Sequence, residues 1–261
     1  MIRAEGIFKQ FGDQEVLRGI DFTFEAGKTN LIIGRSGAGK TVLLKILVGL
    51  FAPTQGRVWF NDIDYTNLDK KGILAIRKEV GMLFQGNALF DSMTIEENIR
   101  FPMDMFTPMT PMEKQMRVDE VLERVSLSGV NPKYPSEISG GMQKRVGIAR
   151  AIVLKPKYLF CDEPNSGLDP KTSITIDELI SDITNEENIT TIINTHDMNS
   201  VMEIGENIIL LKAGKLAWKG NKEQVLGTDN KELDAFIFAS PFLQKLVEAA
   251  KKNGKTTLEN L

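Results

Sequence analysis

The chain has one cysteine, one histidine and no apolar run of 18 residues. A lone thiol, Cys161, cannot close an internal disulfide, and its place in the apolar run Tyr158-Leu159-Phe160-Cys161 marks it as inert and buried, as expected in a reducing compartment. No membrane-crossing helix is expected. Met1-Ile2-Arg3-Ala4-Glu5 does not have the form of a secretory signal and is expected to lead straight into the fold. Positive charge is also short: 32 Lys and Arg stand against 35 Asp and Glu, a net charge of −3, so no basic surface points to nucleic acid as a partner. The remaining composition, 42% hydrophobic and 26% charged over 261 residues, is that of a globular protein with room for one large α/β domain, though length alone would allow two.

What the chain does have is Gly34-Arg35-Ser36-Gly37-Ala38-Gly39-Lys40-Thr41 directly after the apolar run Leu31-Ile32-Ile33. Glycines there let successive backbone N–H groups turn inward around phosphate oxygens with no Cβ in the way. The apolar run reads as a buried strand, and Val42-Leu43-Leu44-Lys45-Ile46-Leu47 reads as a helix whose N-terminus faces the anion. Lys40 is expected to reach the β- and γ-phosphates and Thr41 to ligate Mg²⁺. A chance glycine turn would not place all eight positions between a strand and a helix, so ATP or GTP binding is expected.

The run from Tyr158 to Cys161 reads as a second apolar strand and ends in Asp162-Glu163-Pro164. Alone, such a pair is most often a solvated turn. Beside a phosphate loop, Asp162 becomes the magnesium residue and Glu163 the base that orients or deprotonates the attacking water. Ser139-Gly140-Gly141 opens a third segment, with Ser139 placed as N-cap of an amphipathic stretch from Met142 to Leu154. One glycine loop already cradles a triphosphate, so this second anion site is expected to grip the γ-phosphate bound by another copy, which predicts a head-to-tail dimer. The other reading is an ordinary capped helix. His196 directly follows the strand-like run Thr190 to Thr195, and the ends of parallel strands are where α/β sheets place ligand chemistry, so a γ-phosphate contact is expected of it.

The order GRSGAGKT, Gln85 in MLFQ, ISGGM with Gln143-Lys144-Arg145, YLFCDEP, Ser166-Gly167-Leu168-Asp169 and Thr195-His196-Asp197 resembles the ATP-binding subunit of ABC transporters over residues 1 to about 220. The resemblance implies an α/β P-loop fold with a RecA-like mixed or parallel sheet core, an antiparallel β subdomain and a helical signature subdomain inserted at about 91–154. It also implies ATP and Mg²⁺ as ligands. Phe11 looks like the aromatic that stacks on adenine, where the family usually has tyrosine. Gly34, Arg35, Ser36, Gly37, Ala38, Gly39, Lys40, Thr41 and Val42 match the phosphate loop and the start of its helix. Thr41, Gln85 and Asp162 match the magnesium positions, and Glu163 and His196 the catalytic base and switch histidine. Ser139, Gly140, Gly141 and Met142 match the signature, and Asp169 the loop that speaks across the dimer. Met142 stands where the family usually has glutamine, and Lys144 at the next glutamine position. The backbone amides survive that change; the side-chain contacts around the ribose are what it affects.

Val80-Gly81-Met82-Leu83-Phe84-Gln85-Gly86-Asn87-Ala88-Leu89-Phe90-Asp91-Ser92-Met93-Thr94, then Glu97-Asn98-Ile99-Arg100-Phe101-Pro102-Met103, together with SGGM, resemble the Mla-type lipid-transport ATPases that work with Mce-domain proteins. That implies phospholipid or a related lipid moved between bacterial membranes. It further implies two permease subunits, an Mce-domain partner, a homodimer in the ATP state, and residence on the cytoplasmic face of the inner membrane. Import or export of another solute is the nearest alternative. A translation-factor ATPase normally carries two such domains in one chain, a chromosome-maintenance ATPase separates its motifs by a long coiled coil, and a metabolite kinase has no use for ISGGM or SGLD.

Within the insert, Thr94-Ile95-Glu96-Glu97 and Thr110-Pro111-Met112-Glu113 fit helix-starting capping boxes. Phe101, Met103, Met105, Phe106, Met109, Met112 and Met116 fall within the same stretch and carry two readings: core filling, or a deformable surface for a permease helix beside Gln85. After Gly220 the pattern changes to a C-terminal extension, 221–261, in which Ser240-Pro241 signals a helix start and Phe242, Leu243, Leu246, Val247 and Ala250 share one face before a polar tail.

Overall fold

The computed structural model describes residues 1–225 and 230–237. The helix expected after Ser240 and its polar tail lie outside the described residues.

Strand β1 (Ile2–Phe11) opens with strict alternation, Ile2 and Ala4 buried and Arg3 and Glu5 exposed, so one face meets a core and the other water. It turns through Gly12-Asp13 into β2 (Gln14–Phe24), with Gly12 at φ 54°, a left-handed setting that glycine adopts without strain. The next strand, β3 (Thr29–Ile33), is buried throughout and leads through the glycine loop into α1 (Lys40–Leu47). β4 (Gln55–Phe60) and β5 (Ile63–Asp64) complete an antiparallel sheet in the order β2-β1-β4-β5. Helix α2 (Lys70–Lys78) then leads to β6 (Val80–Leu83).

Three helices follow. Both expected capping boxes form: Thr94 starts α3 (Ile95–Phe106) and Thr110 starts α4 (Pro111–Arg124), each hydroxyl accepting the N–H of its N3 glutamate while that glutamate accepts the threonine N–H. Such a cap is worth about 1 kcal/mol of helix stability. Ser139 starts α5 (Gly140–Ile152). The methionines between them divide. Met103 is fully buried with Ile99, Val118 and Val121, whereas Met105, Met112 and Met116 are 61%, 74% and 63% exposed, so core filling accounts for only part of the cluster.

The chain then alternates β7 (Tyr158–Asp162), α6 (Pro170–Glu186), β8 (Thr190–Thr195), α7 (Met198–Ile204), β9 (Asn207–Lys212) and β10 (Lys215–Gly220), ending in α8 (Lys222–Val225) and α9 (Lys231–Ile237). The second sheet runs β10-β9-β3-β8-β7-β6, parallel except for β10. Helices cover both faces, which is why its central strands are continuous apolar runs. Along β3, Leu31 and Ile33 point into the core shared with α3 to α6, and Ile32 points into the core shared with α1 and the antiparallel sheet. Each such side chain contributes roughly 2 kcal/mol on burial. Asn30 is a buried polar residue in β3 with its hydrogen-bonding groups engaged. It donates to the carbonyls of Glu25, Lys28 and Thr191 and accepts from the Glu25 N–H and Asn207 Nδ2, tying three strands at one point.

Parallel register decides where the chemistry lies. Ile33 pairs with Thr195, and Asp162 pairs with Asn194, so β3, β8 and β7 end side by side. The residues that follow them, Gly34, His196 and Glu163, emerge on one edge of the sheet.

Candidate functional site

The glycine loop leaves β3 at Gly34, whose φ is 148°; a Cβ there would stand 2.4 Å from the Leu211 carbonyl oxygen. Gly39, at φ 102°, is the N-cap of α1, and a Cβ on it would meet Leu17 at 2.8 Å. No side chain caps this helix and no acidic residue lies in its first turn, so its leading N–H groups remain available to an anion from solution. Lys40 is 7% exposed and folds back over the loop, donating to the carbonyls of Gly34 at 2.8 Å and Arg35 at 3.4 Å. Burial holds its ammonium below the ordinary lysine range, opposed by Glu163 and Asp162.

Asp162 ends β7 with its carboxylate bound in a small ring. Thr41 Oγ1 donates to Asp162 Oδ1 at 3.4 Å, and Asn194 Nδ2 donates to the same oxygen at 2.5 Å and to Thr41 Oγ1 at 3.1 Å. The Thr41 hydroxyl, which shares a cleft with Gln85, and the Asp162 carboxylate bonded to it are hard oxygen donors of the kind Mg²⁺ takes alongside substrate phosphates. Among the described residues no group of three or more His, Cys, Asp or Glu could hold a metal ion.

Glu163 takes the left-handed backbone conformation, φ 51°, which is uncommon outside glycine and asparagine and costs of order 1–3 kcal/mol. Its N–H is held by the Asn194 carbonyl at 2.8 Å. Its carboxylate is 2.7 Å from His196 Nδ1 through Oε2 and 3.8 Å from Lys40 Nζ through Oε1. The two strand-end residues and the loop lysine are thus one connected cluster, and the neighbouring Cys161 is fully buried with burial pushing its thiol up, outside any reactive range.

Lys40, Thr41, Glu163 and His196 border a cleft of about 1370 Å³, whereas Gly34, Asp162 and Asn194 are not part of its lining. Its walls include Arg35 to Val42, Gln85, Glu163 and His196, as the sequence suggests, together with Gln14, Val16 and Asn165, which it did not. Phe11 is not part of that lining: it is 43% exposed, packs edge-on against Phe51 at 5.6 Å between centroids, and has Lys9 Nζ 4.7 Å from its ring centroid. Ser139, Gly140, Gly141, Met142 and Asp169 do not border the cleft of their own chain either. Ser139 Oγ accepts the Met142 N–H at 3.3 Å, so the expected cap is present, and Asp169 caps α6 through Thr172, whose hydroxyl and N–H hold its carboxyl below the ordinary range.

Three further contacts escaped sequence reasoning. Asn194 bridges Thr41 and Asp162; a polar residue in the otherwise apolar stretch Ile192-Ile193 was its only signal. Arg150 of α5 reaches the loop after Gln85 and donates to the carbonyls of Asn87 at 2.7 Å and Ala88 at 2.8 Å, two residues that both hold positive φ. Arg35 Nη2 donates to the Ala235 carbonyl at 2.9 Å, which lays α9 beside the glycine loop, with Phe236 and Ile237 at the cleft.

Comparison with known proteins agrees with this geometry. A family model described as ABC transporter matches residues 17–166. The probable ribonucleotide transport ATP-binding protein mkl of Mycobacterium tuberculosis is 37% identical over 236 residues, 90% of this chain and 66% of that protein. The methionine import ATP-binding protein MetN of Caulobacter vibrioides is 37% identical over 227 residues, 86% of this chain and 68% of that one. The chain therefore spans about two thirds of the length of these curated relatives. Among solved structures, the dimeric bacterial ABC transporter cassette MJ0796 superposes with a TM-score of 0.79 at 31% identity, covering 85% of this chain and 99% of that one, and the same cassette is known in a post-hydrolysis state bound to ADP and Pi. With the family model matching more than half of its residues and the glycine loop, Asp162, Glu163 and His196 assembled at one sheet edge, the chain belongs to the ABC transporter family, as an ATP-binding cassette that hydrolyses ATP with Mg²⁺.

Proposed function

We propose that the protein is the ATPase subunit of a membrane transporter, that Glu163 is the general base of hydrolysis, and that the transported substrate is a phospholipid or related lipid. The observation that carries the catalytic part is the Glu163 carboxylate, fixed by a left-handed backbone and by His196 at 2.7 Å, opposite a lysine that the nucleotide must recruit. Lys40 leaves the Gly34 carbonyl to meet the β- and γ-phosphates, while the glycine-loop and α1 amides bind the phosphate oxygens. Thr41, Asp162 and Gln85 are the residues that would hold Mg²⁺, which supplies charge neutralisation and orientation of the phosphates when bound. Glu163 positions the attacking water and takes its proton, and His196 steadies that carboxylate and faces the γ-phosphate.

Two copies complete the site. Ser139, Gly140, Gly141 and Met142 offer the open first turn of α5 but lie away from the cleft of their own chain, so the γ-phosphate they suit is that of a second copy, with Asp169 facing across the seam. The dimeric form of the MJ0796 cassette supports the same arrangement. Closure with ATP and reopening after hydrolysis would then supply the stroke. No helix among the described residues is long and apolar enough to cross a membrane, so separate permease subunits would carry the pathway. The exposed Met105, Met112 and Met116 would provide a deformable surface for them, and the reading carries with it a peripheral position on the cytoplasmic face of the inner membrane.

The lipid assignment, and an Mce-domain partner with it, rests on the segment from Val80 to Met103 and on SGGM. A second reading, uptake of a small solute, is favoured by the names of the relatives, one a methionine importer and the other a probable ribonucleotide transporter. Isolation of the protein from its own membranes in mild detergent, with mass spectrometry of the proteins and lipids that accompany it, separates the two. A permease with an Mce-domain protein and enriched phospholipid is the expected result; a permease with a solute-binding protein and no enriched lipid would overturn the lipid assignment.

A further inference from the structure

Behind the strand ends lies a closed polar ring to which none of these roles is assigned. Asn165 donates from Nδ2 to Asp177 Oδ2 at 2.8 Å and to Ser200 Oγ at 3.0 Å, and Ser200 Oγ donates to the same Asp177 oxygen at 2.7 Å. The three residues are 9%, 2% and 1% exposed, and α6 and α7, which carry Asp177 and Ser200, also carry the core residues Ile176, Ile180, Val201 and Ile204. Two of the ring's acceptor oxygens, Asp177 Oδ1 and Asn165 Oδ1, have no partner. An apolar trio would fill this space without orphaned acceptors, so packing alone gives no reason for a carboxylate here.

The connectivity supplies one. Asn165 follows Glu163 by two residues, Ser200 lies on α7 directly beyond His196, and Asp177 lies on α6, the helix that Asp169 caps. The ring therefore bonds together the three segments that carry the base, the switch histidine and the cross-dimer loop. Glu163 also needs such bracing, because a left-handed residue persists only where its surroundings over-determine it. Its N–H bond to Asn194 fixes one side of it, and the anchoring of Asn165 fixes the chain just beyond.

We propose that Asp177 is a positioning residue for ATP hydrolysis, acting through Asn165 and Ser200 to hold the Glu163 carboxylate and the His196 ring in register. The inference rests on the reading of Glu163 as the base. It touches neither nucleotide nor water, so its loss should slow turnover without weakening ATP binding.

The test compares wild type with Asp177→Leu, Asp177→Asn, Ser200→Ala and Glu163→Gln in steady-state ATPase assays, with thermal unfolding and binding of a fluorescent ATP analogue measured alongside. Asp177→Leu is expected to lower kcat about tenfold to a hundredfold, the effect of a base displaced by a fraction of an ångström to an ångström, with KM for ATP within about twofold. Asp177→Asn keeps an oxygen that accepts both bonds and adds a donor, and should restore kcat to within about threefold of wild type. A merely structural role would lower the unfolding midpoint and leave kcat per folded molecule unchanged, and that result overturns the proposal. Should Asp177→Leu fail to fold, Ser200→Ala opens the same ring with a smaller change, and a wild-type kcat there overturns the proposal equally. Glu163→Gln that hydrolyses ATP at the wild-type rate would overturn the base assignment and the proposal together, whereas an inactive Glu163→Gln beside a fully active Asp177→Leu would overturn the proposal alone.

Discussion

Asp177→Asn makes a prediction about stability that is independent of catalysis. Burial is the largest influence on this carboxyl and pushes it up from 3.8 to about 6; the Ser200 and Asn165 bonds pull it back, and Asp197 and Glu203 push it further up. The folded state therefore holds the proton more tightly than the unfolded chain. Below about pH 4 both states are protonated and the folded protein bears no penalty. As the pH rises from about 4 to about 6 the unfolded chain has already released its proton, and stability declines by about 1.4 kcal/mol per pH unit. A shift of about two units thus corresponds to about 3 kcal/mol lost once the pH exceeds 6. Asparagine does not titrate and fits the same bonds. The stability of Asp177→Asn relative to wild type should accordingly rise by about 3 kcal/mol between pH 3 and pH 7, measured by urea unfolding at closely spaced pH values. Titration of the other groups cancels in that difference. A difference that stays flat with pH would refute the reasoning, since it would mean that the Asp177 carboxyl keeps its ordinary affinity for the proton despite its burial.

Three other outcomes follow from the geometry. Ser139→Ala removes the hydroxyl that caps α5 and should lower stability by about 1 kcal/mol in urea unfolding, with a small fall in kcat because the backbone amides remain. Arg150→Met leaves the Asn87 and Ala88 carbonyls without their donors; it should cost about 2–3 kcal/mol and raise the Mg²⁺ concentration needed for half-maximal hydrolysis, because Gln85 loses its anchored loop. Phe11→Ala should raise KM for ATP by about tenfold if the ring stacks on the base in the bound state, and an unchanged KM would assign that wall of the cleft to Val16 and Gln14 instead.

What could be read from sequence was what is local. The phosphate loop, the strand-end carboxylates and the capping boxes are each written within a few consecutive residues, and each stands where its motif requires. The adjacency of β3, β8 and β7 was not written in that way, because strand order is set by pairing between distant segments, β3 with a strand more than a hundred residues on and β8 with β7 across an intervening helix. Asn194 and Asp177 were missed for the same reason: a polar residue does not name its partners, and Thr41, Asp162, Asn165 and Ser200 all come from other segments of the chain. The left-handed backbone of Glu163 had no signal at all, since glutamate is not a residue that favours it. Hydrophobic pattern likewise could not divide the methionines of α3 and α4, because Met105, Met112 and Met116 are as apolar as the buried Met103 and differ only in the face of the helix they occupy.

The central claim, that Glu163 is the base in a site shared by two copies, is most directly tested by the mass of Glu163→Gln in solution with ATP and Mg²⁺, measured by light scattering on a sizing column. The amide keeps the shape of the side chain and cannot take the proton, so ATP should persist and hold the variant as a dimer that falls apart when ATP is removed. A variant that binds ATP and remains a monomer would contradict the shared site.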